Sequence, residues 1–309
     1  MKGLLQRMTI LPPKYHLTGF HLKLIALMAM VIDHVGAVFP TSDAFRAIGR
    51  LAFPIYAFLI AEGCRHTKNR WHYLLRLGLF ALISEVPFDW AFGVILGNAR
   101  FPEIDFLRHT NIFYTLFFAV AVIHIYEILR CQSRKNQLIG AAFGFLGIFL
   151  EGLMVVLTGD ALICLSLAYT WIFGTLYLYS KLPEVVPKSD GNVLSSILAA
   201  VPTLLIFLLA GLSKCDYDWF GVLLIVSLYL ARTPKRAASL LVVMMALYYG
   251  LLYPLSYGFY PWYLVFALVA AILVFFYNGQ RGRNLKWLFY WAYPVHIAVL
   301  AAFRLLLCL

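Results

Sequence analysis

The sequence contains few charged residues, and this scarcity decides the class of protein. Asp, Glu, Lys and Arg make up 13% of the 309 residues, whereas hydrophobic residues make up 63% and the mean hydropathy is +0.84. A soluble core cannot hide that much apolar surface, so the composition excludes a water-soluble globular protein. It predicts a polytopic membrane protein built from apolar helices.

Cysteine is scarce as well. The five cysteines are scattered, and no two of them form a Cys-x-x-Cys motif. Neither a disulfide scaffold nor a thiolate metal site is therefore expected, and no metal is assigned.

The sequence shows no internal repeat, low-complexity tract or long linker, which favours a single membrane-embedded domain over residues 1–309. No cleavable signal peptide is evident; residues 1–21 are predicted to be a cytoplasmic segment before a first span that serves as a signal anchor.

Membrane spans are predicted from apolar segments of about 20 residues. We count about eleven, although ten fit almost as well because two segments are short and one break is tight. They cover approximately residues 22–40, 45–64, 73–92, 110–129, 138–157, 160–180, 192–212, 217–231, 237–257, 261–277 and 285–307. The prediction is an all-α fold of about 10–11 transmembrane helices that enclose a polar central site.

The basic residues indicate how these spans are oriented. Seventeen of the 25 Lys and Arg residues fall in the amino-terminal segment and in alternate loops, and only four fall in the opposite loops. The positive-inside rule then predicts a cytoplasmic amino terminus and, with eleven spans, an outer carboxyl terminus. Topology accounts for most of the basic charge, so nucleic acid is not expected as a partner.

Ionisable side chains inside the spans point to a functional site, because such groups are costly in a bilayer and rarely kept without a use. With the predicted orientation, polar residues from five spans fall at one outer-central depth. They are Asp33, His34, Arg50, Glu85, Asp89, Asn111 and His296. Plainer interpretations stay open: Asp33 and Arg50 as a buried ion pair without chemistry, and His296 as a hydrogen-bonded structural residue.

A second group of basic residues lies nearer the predicted cytoplasmic side. It consists of Lys23, Arg65, Arg70 and Arg76. Lys23 and His34 are eleven residues apart, which on an α-helix is a rotation mismatch of about 20° over roughly 16 Å. Both are expected to face one groove, which fits a donor molecule with an anionic head at the cytoplasmic mouth. The alternative for Arg65 and Arg70 is that they only enforce topology.

Motifs along the whole chain resemble those of the TraX family. They follow the family's order, match densely over residues 20–116, and match only in hydrophobicity over about 130–210. Asp218 departs from the family, which usually has a small residue there. The motifs are Leu22-Lys23-Leu24-Ile25-Ala26, Ile32-Asp33-His34-Val35-Gly36, Gly49-Arg50-Leu51-Ala52-Phe53-Pro54, Ser84-Glu85-Val86-Pro87-Phe88-Asp89, Asn111-Ile112-Phe113-Tyr114-Thr115, Asp216-Tyr217-Asp218-Trp219-Phe220 and Tyr290-Trp291-Ala292-Tyr293-Pro294-Val295-His296.

The resemblance implies a transmembrane acyltransferase. TraX-like proteins resemble the broader superfamily of such enzymes, and the family implies transfer of an acetyl group from cytoplasmic acetyl-CoA to an acceptor beyond a bacterial inner (cytoplasmic) membrane. The family's namesake acts on the amino terminus of a conjugative pilin. In the superfamily, a basic residue and a histidine eleven positions later in the first span are functionally important. In this sequence they are Lys23 and His34.

The expected chemistry is general-base catalysis by His34, or transient acetylation of that residue. The other residues expected in the catalytic group are Asp33, Glu85 and Asp89. Asp33 points about 100° away from His34 on the helix, so we expect it to pair with Arg50 or to hold the face of Lys23 through a turn. Glu85 or Asp89 is expected to orient His34 or to grip a cationic acceptor. The expected oxyanion- or acceptor-binding residues are Arg50, Asn111 and His296, and those expected to bind the CoA phosphates are Lys23, Arg65, Arg70 and Arg76.

Two choices stay open at this point. The acceptor is a peptide amino terminus, a glycan or another amine or hydroxyl, and the sequence does not choose between them. The competing function is a proton-coupled secondary transporter that uses Asp33, His34 and Glu85 as a relay within the lipid bilayer.

Overall fold

The computed structural model describes residues 17–39, 43–92, 109–129, 131–158, 197 and 200–306. Across these residues the chain is helical, and β-structure is limited to two isolated bridges, Leu17–Tyr277 and Thr110–Cys215. The predicted all-α fold is confirmed.

Twelve α-helices lie in the described residues. They are α1 (Gly19–Val38), α2 (Asp43–Gly49), α3 (Ala52–His66), α4 (Arg70–Phe92), α5 (Ile112–Leu129), α6 (Arg134–Thr158), α7 (Leu204–Leu212), α8 (Asp218–Ala231), α9 (Pro234–Leu247), α10 (Tyr253–Tyr257), α11 (Pro261–Phe275) and α12 (Lys286–Leu306). A 3₁₀ turn (Val201–Thr203) leads into α7, and a π-helical turn (Tyr248–Leu252) joins α9 to α10.

Several of these helices are long and apolar enough to cross a membrane, so the protein is a multi-pass membrane protein. Among the described residues, five helical segments meet both conditions: Gly19–Val38, Asp43–His66, Ile112–Leu129, Pro234–Tyr257 and Lys286–Leu306. Two shorter apolar helices, α8 and α11, lie where the eighth and tenth spans are predicted. The predicted span 160–180 lies outside the described residues.

Local sequence explains where the helices begin. Thr18 caps α1, because its hydroxyl accepts from the amide of His21 while the His21 ring accepts from the amide of Thr18. The hydroxyl of Thr233 caps α9 by accepting from the amide of Arg236, and proline occupies the first position of both α9 and α11. Side chains therefore satisfy amides that a helix start would leave without partners.

The chain divides into two compact units. The first unit comprises residues 1–59 and 230–309, and the second comprises residues 60–229. In the first unit α1 packs against α2 and α12, and α11 packs against α2 and α9. In the second unit α5 packs against α4 and α7, and α6 packs against α7. The single membrane-embedded domain expected over the whole chain stays a prediction.

Helices α1 and α12 run in the same direction. Near their starts, Phe20 and Lys23 lie against the ring of Phe289, and further along both helices His34 meets His296. The count of ten or eleven spans stays a prediction, because the predicted span 160–180 lies outside the described residues.

Candidate functional site

Two histidines from opposite ends of the chain meet in the first unit. His34 lies in the last part of α1, and Nδ1 of its ring is 2.6 Å from Nε2 of His296 on α12. Nδ1 of His296 is 2.6 Å from the carbonyl oxygen of Ala292, one turn earlier. The ring of Tyr293 stands nearly perpendicular to both imidazoles, 5.8 Å from each ring centre. The imidazoles thus form a hydrogen-bonded pair beside an aromatic wall.

Asp33 serves a different set of partners from its neighbour in sequence. Its carboxylate is 2.8 Å from Nη1 of Arg46 and 3.7 Å from Nη2 of Arg50. The Arg50 guanidinium also lies over the ring of Tyr263, 4.7 Å from its centre. The predicted pairing of Asp33 with Arg50 is present. Arg46 is the closer partner, and sequence reasoning missed it, although its spacing of four residues from Arg50 was a signal.

The close approach of α2 to α1 depends on two glycines. A Cβ at Gly36 would lie 2.5 Å from Cβ of Phe45, and a Cβ at Gly49 would overlap the carboxylate of Asp33. Side chains at either position would push the helices apart, since small residues are what allow membrane helices to approach closely. Gly49 therefore leaves the space in which Asp33 reaches the arginines.

Lys23 faces the same helix as His34. Its Nζ lies over the ring of Phe289 on α12, 5.6 Å from the ring centre, and His34 contacts His296 two turns further along α12. The common face expected from the eleven-residue spacing is therefore present. On an α-helix this spacing separates the two side chains by roughly 16 Å.

The three arginines expected to bind the acyl donor lie in the second unit. Arg65 bonds to Glu62 and to the carbonyl oxygens of Leu228 and Tyr229, the last at 2.8 Å. Those carbonyls end α8, so Arg65 acts there as a carboxyl-terminal cap. Arg76 lies 5.9 Å from the centre of the Tyr73 ring, and Arg70 begins α4. The expected joint site of these arginines with Lys23 stays a prediction.

Glu85 and Asn111 form a buried bracket between α4 and the start of α5. Both have no exposed surface. The Asn111 side-chain amide donates to Glu85 Oε2 and, at 2.8 Å, to the carbonyl of Ala81, while the Asn111 backbone amide donates to the same carboxylate at 3.2 Å. Oδ1 of Asn111 accepts from the amide of Phe113 at 3.0 Å, which is the geometry of an asparagine N-cap.

Two further polar residues of α4, Ser84 and Asp89, lie close to Glu85 in sequence. Asp89, one turn after Glu85, is 7% exposed, and Ser84 is fully buried. Oε1 of Glu85 and Oγ of Ser84 have no hydrogen-bond partner among the described residues. The expectation that Glu85 or Asp89 orients His34 stays a prediction.

A polar link ties the start of α5 to the turn between α7 and α8. Nε2 of His109 is 2.8 Å from Oδ1 of Asp216, Thr110 bonds to the carbonyl of Ser213 at 3.2 Å, and Thr115 donates to the carbonyl of Asp216. Burial alone would lower the pKa of His109, but its hydrogen bond to Asp216 and the charge of that carboxylate raise the pKa above the ordinary value of 6.5. Sequence reasoning missed His109.

Metal ligation is not indicated by the described part of the chain. Within it, His, Cys, Asp and Glu side chains form no group of three or more that could hold a metal ion. Cys64, Cys131 and Cys215 are free thiols.

Comparisons with known proteins point to the same family as the sequence motifs in these helices. The model of the TraX protein family matches residues 18–179 and 161–304. The chain is also 27% identical over 303 residues to the "Probable fimbrial assembly protein FimC, serogroup H1" of Dichelobacter nodosus, and this match covers 94% of the chain and 97% of the relative. No solved structure matches the chain. Because the matched ranges take in most of its length, the chain belongs to the TraX family.

Proposed function

We propose that this protein is an integral-membrane acetyltransferase, which moves an acetyl group from cytoplasmic acetyl-CoA to an amine at the outer side of a bacterial inner membrane. The observation that carries the proposal is the shared face of Lys23 and His34 on α1, both directed at α12. A cation near one end of this face and a base near the other suit a long acyl donor with phosphates at one end and a thioester at the other.

His34 is the proposed general base. It takes a proton from the acceptor amine while the amine nitrogen attacks the thioester carbonyl carbon and the carbonyl electrons move to oxygen. When that oxyanion collapses, the carbon–sulfur bond breaks, and the thiolate leaves with the proton that His34 holds. The products are the N-acetylated acceptor and free CoA thiol, and His34 returns to its starting state.

The cationic pair next to His34 has a supporting role in this proposal. Arg46 and Arg50 both lie beside the carboxylate of Asp33, which holds two guanidinium groups at this end of α1. Positive charge held near a developing oxyanion lowers the barrier to acyl transfer. Arg50 is the better placed of the two for a dry site, because its side chain is 12% exposed whereas that of Arg46 is 31% exposed.

The acceptor proposed here is the amino terminus of a pilin or fimbrial subunit. The relative in Dichelobacter nodosus is named a probable fimbrial assembly protein, and it aligns with nearly the whole of this chain. An amine suits a mechanism with one imidazole as base. An acceptor hydroxyl on a glycan is the competing choice, and the acceptor comparison in the experiment below separates the two.

The test is acetyl transfer by purified protein in proteoliposomes that enclose a pilin-like peptide, with labelled acetyl-CoA supplied outside. We expect wild-type protein in the matching orientation to acetylate the enclosed peptide at its amino terminus. His34→Ala should abolish transfer while leaving the thermal unfolding temperature nearly unchanged. His72→Ala, which removes an exposed imidazole from α4, should transfer normally. Transfer by His34→Ala at the wild-type rate would refute the assignment of the base.

Two further comparisons sharpen the test. Lys23→Ala should raise KM for acetyl-CoA and weaken its dependence on salt, while the exposed control Lys235→Ala should change neither. A peptide with a blocked amino terminus should not be acetylated, and an oligosaccharide should not replace it. If the acetyl label appears only on the oligosaccharide, the acceptor is a glycan and not a peptide amine.

A further inference from the structure

The contact between His34 and His296 is an in-plane hydrogen bond. The two ring planes differ by 5°, and the ring centres are 4.9 Å apart, while the facing nitrogens are separated by 2.6 Å. The centre-to-centre separation equals the hydrogen bond plus the short distance from each ring centre to its nitrogen. The imidazoles therefore meet edge to edge, and the proton between them lies on a nearly straight line.

The direction of this bond follows from the next contact along α12. Nδ1 of His296 is 2.6 Å from the carbonyl oxygen of Ala292, and a carbonyl oxygen can only accept. Nδ1 of His296 must then carry the hydrogen, so Nε2 of the neutral ring holds a lone pair. Since Nε2 of His296 accepts, Nδ1 of His34 must donate. The lone pair of neutral His34 consequently lies on its Nε2.

We infer that His296 is a positioning residue, which holds His34 in the tautomer whose Nε2 serves as the base. This inference rests on the proposed function, because it assigns the base nitrogen within the same site. The chain of contacts runs from Ala292 to His296 to His34, so α12 sets the protonation pattern of a residue on α1. His296 is expected from the sequence among the oxyanion- or acceptor-binding residues, and its contacts with Ala292 and His34 assign it this other role.

The chemistry of the site agrees with that role. Nucleophilic and general-base sites commonly contain a third group that orients the base, and a carboxylate is the familiar example. Here the adjacent carboxylate, Asp33, is bonded to Arg46 and Arg50. A neutral imidazole orients His34 instead. When His34 gains a proton on Nε2, its Nδ1 hydrogen bond to His296 becomes charge-assisted and stronger. The contact therefore helps the transition state more than the resting state.

The first test reads the tautomer directly and does not need activity. In ¹⁵N-histidine-labelled protein, the His34 signals, assigned by their loss in His34→Ala, should show a protonated Nδ1 and an unprotonated Nε2. His296→Leu, which removes the acceptor, should shift His34 toward the other tautomer. His296→Gln, which keeps an oxygen acceptor on the side chain, should restore the wild-type pattern at least in part. A protonated Nε2 in the neutral wild-type ring, or an unchanged tautomer in His296→Leu, would overturn the inference.

The second test reads catalysis in the same variants. His296→Leu should lower kcat by roughly 10²- to 10⁴-fold, the range that general acid–base catalysis contributes. KM for acetyl-CoA should stay within about twofold, because the residue does not bind the donor. His296→Gln should recover at least tenfold of the lost kcat, and His72→Leu should match wild type. Equal losses in His296→Leu and His296→Gln would count against positioning.

The two tests separate failure of the inference from failure of the proposed function. If wild-type protein transfers no acetyl group while His34 still changes tautomer in His296→Leu, the proposed function is wrong and the tautomer control stands. If transfer depends on His34 but its tautomer ignores His296, the proposed function stands and the inference is wrong.

Discussion

Polar side chains lie between packed helices in both compact units, half-buried in the first and in several cases fully buried in the second, and their partners differ in kind. In the first unit the main contacts join one side chain to another: Asp33 to two arginines, and His34 to His296. In the second unit, more of the polar side chains bond to backbone groups, although Glu85 with Asn111 and His109 with Asp216 also form side-chain pairs. Asn111 caps α5 and Arg65 caps α8. Polar residues in a membrane protein thus have two distinct uses.

The difference separates structure from chemistry. A side chain that caps a helix cannot leave its partner without exposing backbone groups that a bilayer does not satisfy. A pair formed only by side chains can change its protonation or exchange partners while both helices stay intact. The first unit is therefore the better place for a proton-transfer site, and the bracket around Glu85 is better suited to holding α4 and α5 together.

The largest effect that tests this comparison is expected at Asp33. Asp33→Asn removes the charge shared by Arg46 and Arg50, and losing a hydrogen bond between charged groups costs about 1.5–3 kcal/mol. We expect a large drop in the thermal unfolding temperature in detergent, together with loss of acetyl transfer. Asp43→Asn is the matched control, because Asp43 is exposed at the start of α2 and its replacement should cost less than about 1 kcal/mol. Equal unfolding temperatures for Asp33→Asn and wild type would show that the ion pair does not stabilise the first unit.

The next effect concerns the glycine that makes room for Asp33. Gly49→Ala places a methyl group where the Asp33 carboxylate lies, and overpacking of this kind costs about 2 kcal/mol. Gly250→Ala is its control, since a Cβ there meets nothing within 4 Å. Chemical denaturation of both variants should show a loss for Gly49→Ala and none for Gly250→Ala, where alanine can even stabilise the helix. If the two substitutions prove equally harmless, Asp33 has more space than its contacts indicate.

A smaller effect is expected at Glu85, where the comparison predicts structure without chemistry. Glu85→Leu removes the acceptor for two donors of Asn111 and should cost between about 1 and 2 kcal/mol. Glu85→Gln keeps an oxygen acceptor and should retain both stability and acetyl transfer. Activity as low in Glu85→Gln as in His34→Ala would give the second unit a catalytic carboxylate and end the contrast between the units.

Sequence periodicity predicted much of what depends on one helix at a time. The structure has helices at most of the predicted spans. Lys23 and His34 lie on a common face of α1, as predicted, because rotation along a helix follows from spacing alone. The pairing of Asp33 with Arg50 followed from charge, since a buried aspartate needs a cation.

The contacts that sequence did not predict depend on which helices are neighbours. His296 meets His34 only because α12 lies parallel to α1, and no local pattern encodes that pairing. The sequence assigned no partner to Arg46, but it lies in α2 and reaches Asp33. The phosphate-binding role expected of Arg65 stays a prediction, and the sequence did not predict that the end of α8 brings two carbonyl oxygens to its guanidinium. Charge and periodicity predict what a residue needs, and only the packing of helices determines which partner supplies it.

The smallest effect concerns the link in the second unit between His109 and Asp216. Because the folded protein raises the pKa of His109 above 6.5, the charged pair stabilises the fold fully below that value, and this stability is lost as the pH rises through the folded-state pKa. Both side chains are partly exposed, so the contribution should stay under about 1 kcal/mol. From acidic to basic pH, the unfolding temperature should therefore fall slightly more for wild type than for His109→Gln. The glutamine keeps a hydrogen bond but has no titratable charge. Acetyl transfer should be the same in both proteins at each pH, because His34 is the proposed base and the link holds the start of α5 to the turn before α8. A pH profile of transfer that shifts in His109→Gln would place a titrating group of the reaction in the second unit.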